Sequence, residues 1–307
     1  MATTPRLSCS LFLFLLTIPV ATTAAGSTIF GVTIDDPWTD QTAIYNALAA
    51  HTVRPTTRVV FDEQVPATEY LAPVENIHQV SHVMGEILDS YYVASYSVND
   101  YLARTAEYLD TLQDRVDIWE IGNEVNGDWL GTTADVKAKI EGAYALAVDR
   151  GVTTAVNFYY NKACSHDAPD HEMFTWIRAN ISDTMKDGLD YVFFSYYEDD
   201  CGGVSYSREE WQAVFEELHT IFPHAQLGFG ETGTENNAKK ADYIQRYYGL
   251  GIDLPYYVGG YFWWYYKQDC VPKTQPLWNV LETTVNQTLI PHQGAGLPAI
   301  QLLLFNQ

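Results

Sequence analysis

Eight short runs rich in β-branched and aromatic residues recur along the chain, and segments with helical periodicity separate most of them. They fall at residues 28–34, 57–61, 83–88, 116–121, 153–159, 191–195, 226–230 and 260–264. This rhythm constrains the fold more than any other feature. Strands joined through helices return in the same direction and pair as a parallel sheet. The predicted helices cover residues 39–50, 97–112, 133–150, 172–181, 207–222 and 237–250. Thr39-Asp40, Ser97 with Asp100, and Ser207 with Glu210 are read as their N-terminal caps. Only 76–80, between the second and third runs, is too short for a helix.

Eight such units imply an α/β protein with a single (β/α)8 (TIM) barrel over residues 26–307, close to the roughly 250 residues such barrels use. The alternative is an open doubly wound sheet. The first run, however, leads into Asp35-Asp36-Pro37-Trp38 instead of a glycine-rich phosphate loop. No linker, repeat or low-complexity stretch divides the chain.

Residues 1–25 read as a secretion signal. Arg6 precedes an apolar run at 11–20, and the small residues at 21–25 offer a cleavage site. The run is short for a membrane span, so a retained anchor is the lesser alternative and no stable membrane partner is expected. The tail at 300–305 is apolar but short, and reads as a final strand or helix. Cleavage would leave 16 basic against 39 acidic side chains, a formal charge of −23. That balance excludes nucleic acid as a partner, because phosphates would be repelled. It suits an extracellular or periplasmic enzyme acting on neutral carbohydrate. Cys164, Cys201 and Cys270 would remain, and an oxidising compartment permits one bridge with one thiol left over. Cys164 and Cys201 follow neighbouring strands and are the preferred pair, with Cys201–Cys270 the rival. Asn180-Ile181-Ser182 and Asn286-Gln287-Thr288 match glycosylation sequons, which matter only in a eukaryotic secretory host.

A parallel barrel places its site at the carboxyl ends of its strands. Those ends carry Asp35, Asp36 and Trp38; Asp62 and Glu63; Asp89 and Ser90; Asn123 and Glu124; Asn157, Tyr159 and Tyr160; Tyr196, Tyr197 and Glu198; Glu231; and Trp263, Trp264 and Tyr265. The rim is thus rich in acids and aromatics and poor in bases. Aromatic residues make up 14% of the chain, including 22 tyrosines and 8 tryptophans, a surplus suited to stacking on sugar rings. Two glutamates close apolar runs in matching fashion, in Trp119-Glu120-Ile121-Gly122-Asn123-Glu124-Val125 and Gly228-Phe229-Gly230-Glu231-Thr232-Gly233. Cleaving a glycosidic bond needs one carboxylic acid to protonate the leaving oxygen and a second carboxylate on the other side of the sugar. It requires no metal or organic cofactor. His166 and His171 lack metal-ligand spacing.

In these residues the chain resembles glycoside hydrolase clan A, the retaining (β/α)8 enzymes. The clan carries an Asn-Glu pair at the end of strand four, its glutamate the acid/base, and a nucleophilic glutamate at the end of strand seven. The resemblance implies those roles for Asn123-Glu124 and Glu231, which stand 107 residues apart. It further implies that Tyr196 or Tyr197 bonds the nucleophile and that Trp263 or Trp264 lies under the sugar at the cleaved bond. Gly122-Asn123-Glu124-Val125 and Glu231-Thr232-Gly233 are locally similar to family 17 β-1,3-glucanases. Clan members often carry an arginine on strand two near the nucleophile. Arg58 is on that strand but is placed too far toward its beginning to serve.

The expected activity is therefore retaining hydrolysis of a β-linked oligo- or polysaccharide. Glu124 and Glu231 are the catalytic pair. Asn123, Trp38, Trp129, Asn157, Tyr159, Tyr196, Tyr197, Trp263 and Trp264 are the expected substrate contacts. Neighbouring residues on a strand face opposite ways, so only one of Trp263 and Trp264 faces the cleft. Glu120, two alternations before Glu124, is read as structural and needs a partner such as Arg58. Glu198-Asp199-Asp200 reads as a solvated acidic loop in preference to a calcium site. The alternatives are a non-catalytic carbohydrate-binding barrel and a metal-dependent barrel hydrolase.

Overall fold

A computed structural model describes residues 28–289. Eight parallel strands close into a barrel in sequence order. They are β1 (Ile29–Ile34), β2 (Thr56–Val60), β3 (His82–Glu86), β4 (Ile118–Glu120), β5 (Thr154–Tyr159), β6 (Tyr191–Tyr196), β7 (Gln226–Thr232) and β8 (Tyr257–Trp263). The (β/α)8 expectation is thus met. The signal segment, Cys9 and the 300–305 tail lie outside the described residues, within which no helix is long and apolar enough to cross a membrane.

The predicted caps form at two of three helices. Ser97 accepts from the Asp100 N–H at the start of Val98–Leu112. Ser207 and Glu210 form a reciprocal capping box on Arg208–Ile221. Asp40 does not cap Gln41–Ala49; it is left-handed and makes no side-chain bond there. Asp36 instead accepts from the N–H groups of Trp38 and Thr39. Between β2 and β3 the chain forms the helix Leu71–Val80, twice the length of the segment judged too short. Pro73 hid it, yet in a first turn proline's missing N–H costs no intrahelical bond. After β8 a helix Pro276–Leu289 returns to the start of the barrel. There Trp278 Nε1 donates to the Ala47 carbonyl and Glu282 bonds His51 and Thr52.

Strand alternation sorts the core into two parts. Outward residues such as Trp119, Phe158, Phe194 and Phe229 pack beneath the helices. Inward residues Ile29, Met84, Ile118, Ala155, Phe193, Val258 and Phe262 fill the barrel as an apolar plug. Above the plug the inward positions turn polar: Arg58, Glu86, Glu120, Asn157 and Ser195, all at most 1% exposed. The Cys164–Cys201 disulfide ties the loop after β5 to the loop after β6, and Cys270 is a buried thiol. The bridge is the preferred one of the two pairings read from sequence.

Candidate active site

Glu124 and Glu231 line one cavity of about 440 Å³ at the carboxyl ends of the strands. Asp89, Ser90, Asn123, Tyr197, Trp264 and Tyr265 share its wall, with Asp199, Asp200 and Glu235 toward the rim.

Each glutamate is aimed by a local departure from regular strand geometry. Glu124 follows β4 with φ at +46°, a left-handed conformation that costs a non-glycine residue roughly 1–3 kcal/mol. The turn is stitched by Val125 N–H to the Asn157 carbonyl and by Gly127 N–H to the Glu124 carbonyl. At β7 the device is a bulge. Phe229 pairs with the outward-facing Phe194, but Glu231, two residues on, pairs with inward-facing Ser195. The extra residue, Gly230, resets the alternation and turns Glu231 into the barrel. Only glycine fits there, since a Cβ would lie 2.3 Å from Asn157 Oδ1.

The surroundings of the two carboxylates differ. Arg58 Nη1 donates to Glu231 Oε2 at 2.6 Å, and the Tyr197 hydroxyl donates to Glu231 Oε1. Ser90 Oγ donates to Glu124 Oε2 at 3.0 Å, and the Ser195 hydroxyl also faces this carboxyl. Burial raises both acids. It drives Glu124 up to about 8, helped by the charge of Glu231, with the Ser90 and Ser195 hydroxyls opposing. It drives Glu231 to about 7, because the cation of Arg58 and the Tyr197 bond pull back against it. The carboxylate form is thus favoured more at Glu231, by a cation and a phenol, than at Glu124, which has only hydroxyl donors. Burial likewise lifts Asp89 above its ordinary value.

Arg58 is the correction of largest consequence. It sits mid-strand, not too near the strand's beginning as the sequence alone suggests, and its long side chain rises through the barrel to Glu231. Its Nε and Nη2 form a bidentate pair with Glu120 at 2.6 and 2.9 Å, the partnership expected for Glu120. Its Nη2 also lies 3.1 Å from Glu86 Oε2. Neither Glu86 oxygen has a hydrogen-bond partner, and burial raises this carboxyl well above its ordinary value against the pull of the Arg58 cation. Glu86 went unnoticed in the sequence. Its signal was an acid at an inward position of an otherwise apolar strand.

The remaining predicted contacts divide. Asn123 lines the cavity, donating from Nδ2 to Glu120 Oε1 and accepting at Oδ1 from Ser90 N–H. Trp264 faces the cavity with the Arg58 guanidinium 5.7 Å from its ring centre. Trp129 is 40% exposed, meets Tyr159 edge-on at 5.6 Å and donates from Nε1 to Ser90 Oγ. Tyr159 stands between Trp129 and the disulfide, its hydroxyl 3.6 Å from Cys201 Sγ. Asn157 lies beneath the cavity, donating to Ser195 Oγ.

Trp129, Tyr159 and Asn157 do not line that cavity, and three further expected contacts lie away from it. Tyr196 faces the helices, bonding the Val204 carbonyl and packing on Trp211, because its neighbour Tyr197 takes the inward position. Trp263 faces outward for the same reason and donates to Asp269. Trp38 packs against Tyr70 at 4.7 Å and borders a separate cavity with Pro272 and Lys273. The acidic loop is not simply solvated. Glu198 is 4% exposed and bonds Arg246 and Tyr247, and Asp199 bonds Lys239, Thr234 and Tyr243. Among the described residues no cluster of acids, histidines and cysteines is arranged to hold a metal ion.

No protein-family model matches the chain, and no curated protein matches it. Solved structures do share its fold. Saccharomyces cerevisiae Gas2p, in complex with laminaritriose and laminaritetraose, superposes with a TM-score of 0.55 at 16% identity. That match covers 85% of this chain and 65% of Gas2p, so the chain spans about two-thirds of the Gas2p length. The Ignisphaera aggregans GH53 catalytic domain gives 0.51 at 14% identity, covering 77% of this chain and 84% of that one. The apo β-glucosidase 1317 gives 0.51 at 15% identity, over 73% and 77% of the two chains. Likeness at this identity establishes the barrel.

Proposed function

We propose that the protein is a retaining glycoside hydrolase of clan A acting on a β-linked glucan or related oligosaccharide. One observation carries this reading. Two buried glutamates, at the ends of β4 and β7, share one cavity while their partners push their protonation apart. Glu231, held by Arg58 and Tyr197, attacks the anomeric carbon and forms a glycosyl ester. Glu124 gives its proton to the departing oxygen. Glu124, now ionised, takes a proton from water, which hydrolyses the ester and returns Glu231 as a carboxylate. Asn123 Nδ2 has a second N–H to offer the sugar 2-hydroxyl, and Trp264 offers a stacking face.

The substrate class draws support from two fold neighbours, Gas2p with its bound laminari-oligosaccharides and the β-glucosidase. The signal-like residues 1–25 and the disulfide support a secreted enzyme whose catalytic domain is the barrel. The test is turnover of aryl β-glycosides and β-glucans by the wild type, Glu124→Gln and Glu231→Gln. Retention of anomeric configuration, with both variants impaired, is expected. Wild-type turnover in both variants would overturn the assignment, and binding without turnover in the wild type would indicate a carbohydrate-binding barrel.

A further inference from the structure

We propose that Ser90 is a positioning residue for Glu124, and that Trp129 sets the direction in which the Ser90 hydroxyl points. The inference rests on the acid/base role given to Glu124 above. Ser90 opens the short helix Ser90–Val93 just beyond β3, where Asp89 caps the turn by accepting from Tyr91 N–H. Its backbone N–H donates to Asn123 Oδ1 at 2.9 Å, and its Oγ lies 3.0 Å from Glu124 Oε2. Trp129 Nε1 lies 3.1 Å from the same Oγ. Ser90 is thus bonded to both residues of the Asn-Glu pair and to one aromatic residue of the rim.

The chemistry of the donors settles the direction. An indole N–H can only donate, so it occupies a lone pair of the Ser90 hydroxyl. The hydroxyl proton is left to point at Glu124 Oε2. A hydroxyl donating to Oε2 favours Oε2 as the carbonyl oxygen of the acid and Oε1 as the proton carrier, so this chain of bonds biases which oxygen protonates the leaving group. Ser90 is 5% exposed and Glu124 9%, so water competes poorly for either bond. Trp129, 40% exposed and braced by Tyr159, links that selection to the rim.

The test uses aryl β-glycosides that span a wide range of leaving-group acidity, with Ser90→Ala, Ser90→Thr, Trp129→Phe and the Ser90→Ala/Trp129→Phe double variant. Poor leaving groups need the acid and good ones do not. Ser90→Ala should lower kcat/KM about 10- to 100-fold on the poorest leaving groups and change little on the dinitrophenyl glycoside. Ser90→Thr keeps a hydroxyl and should restore most of the loss. Trp129→Phe keeps a ring but no N–H, and should shift the same selectivity in the same direction. The double variant should be no worse than Ser90→Ala, because both act through one bond. Equal losses on all leaving groups, or additive losses in the double variant, would overturn the proposal. Glu124→Ala separates the two levels of argument. Should it lose the poor substrates while Ser90→Ala and Trp129→Phe stay flat, only the positioning role falls. Full activity in Glu124→Ala, or no wild-type turnover of any glycoside, would remove the acid/base reading itself.

Discussion

The ends of β4 and β7 present the same residue type to the same cavity and surround it with different partners. At β7, Glu231 sits against a fully buried guanidinium and a phenol, two donors that favour the carboxylate. At β4, Glu124 meets the Ser90 and Ser195 hydroxyls and the field of the other glutamate, with no cation to oppose its burial. The backbone differs too: a bulge aims one and a left-handed turn aims the other. Identical side chains are set apart by what surrounds them, here mostly by Arg58, and the proposed division of labour rests on that difference.

The sharpest way to break the comparison is to remove each carboxylate. Glu231→Gln should cost about 10⁴-fold or more in kcat on every substrate, the scale of nucleophile loss in other hydrolases. Glu124→Gln should cost about 10²–10⁴-fold on poor leaving groups and far less on good ones. Equal losses across a leaving-group series would mean the two ends are not different reagents. The second test removes what distinguishes them. Arg58→Met leaves Glu86, Glu120 and Glu231 buried without their shared cation, and should destabilise the fold by about 3–5 kcal/mol in thermal unfolding. An unchanged melting temperature would show that the polar layer does not depend on Arg58.

Neighbouring tyrosines give a finer contrast. Tyr197→Phe deletes a charge-assisted bond and should lower kcat/KM about 10- to 100-fold, from roughly 1.5–3 kcal/mol. It should also move the acidic limb of the pH–rate profile upward, since Glu231 loses a donor that favours its charge. Tyr196→Phe loses only a bond to the Val204 carbonyl and should change stability by about 1 kcal/mol with kinetics unaltered. The last contrast is in the pH dependence of stability. Glu124 is raised on folding from 4.5 to about 8, so the folded state keeps a proton that the unfolded chain has released. Its contribution is complete below about pH 4.5 and is lost as pH rises toward 8. The melting temperature of Glu124→Gln should therefore fall less steeply over that window than that of the wild type.

Much of the frame was legible because it follows from local pattern. Eight β-rich runs each became a strand, and the Ser97 and Ser207 caps formed where short polar side chains could reach orphan N–H groups. The helix holding Pro73 was missed because proline counts against helix in composition but not in a first turn. Trp263-Trp264 and Tyr196-Tyr197 could be narrowed only to one inward residue of each pair. Which one depends on the phase of the strand in the barrel.

By itself, then, the sequence determined the order of strands and helices, and hence that Asn123-Glu124 and Glu231 would stand at the same end of a parallel barrel. It determined that Glu120 would need a cation, because a lone buried charge is too costly to leave unpaired. Only the tertiary structure decided which cation, how far it reaches, and that Glu86 shares it. It also decided that the Gly230 bulge turns Glu231 inward, and that Ser90, from the short helix after β3, meets Glu124. Local sequence sets periodicity, which needs only near neighbours. Protonation and aim are set by groups that closure of the barrel brings together from distant positions, and no window along the chain contains them.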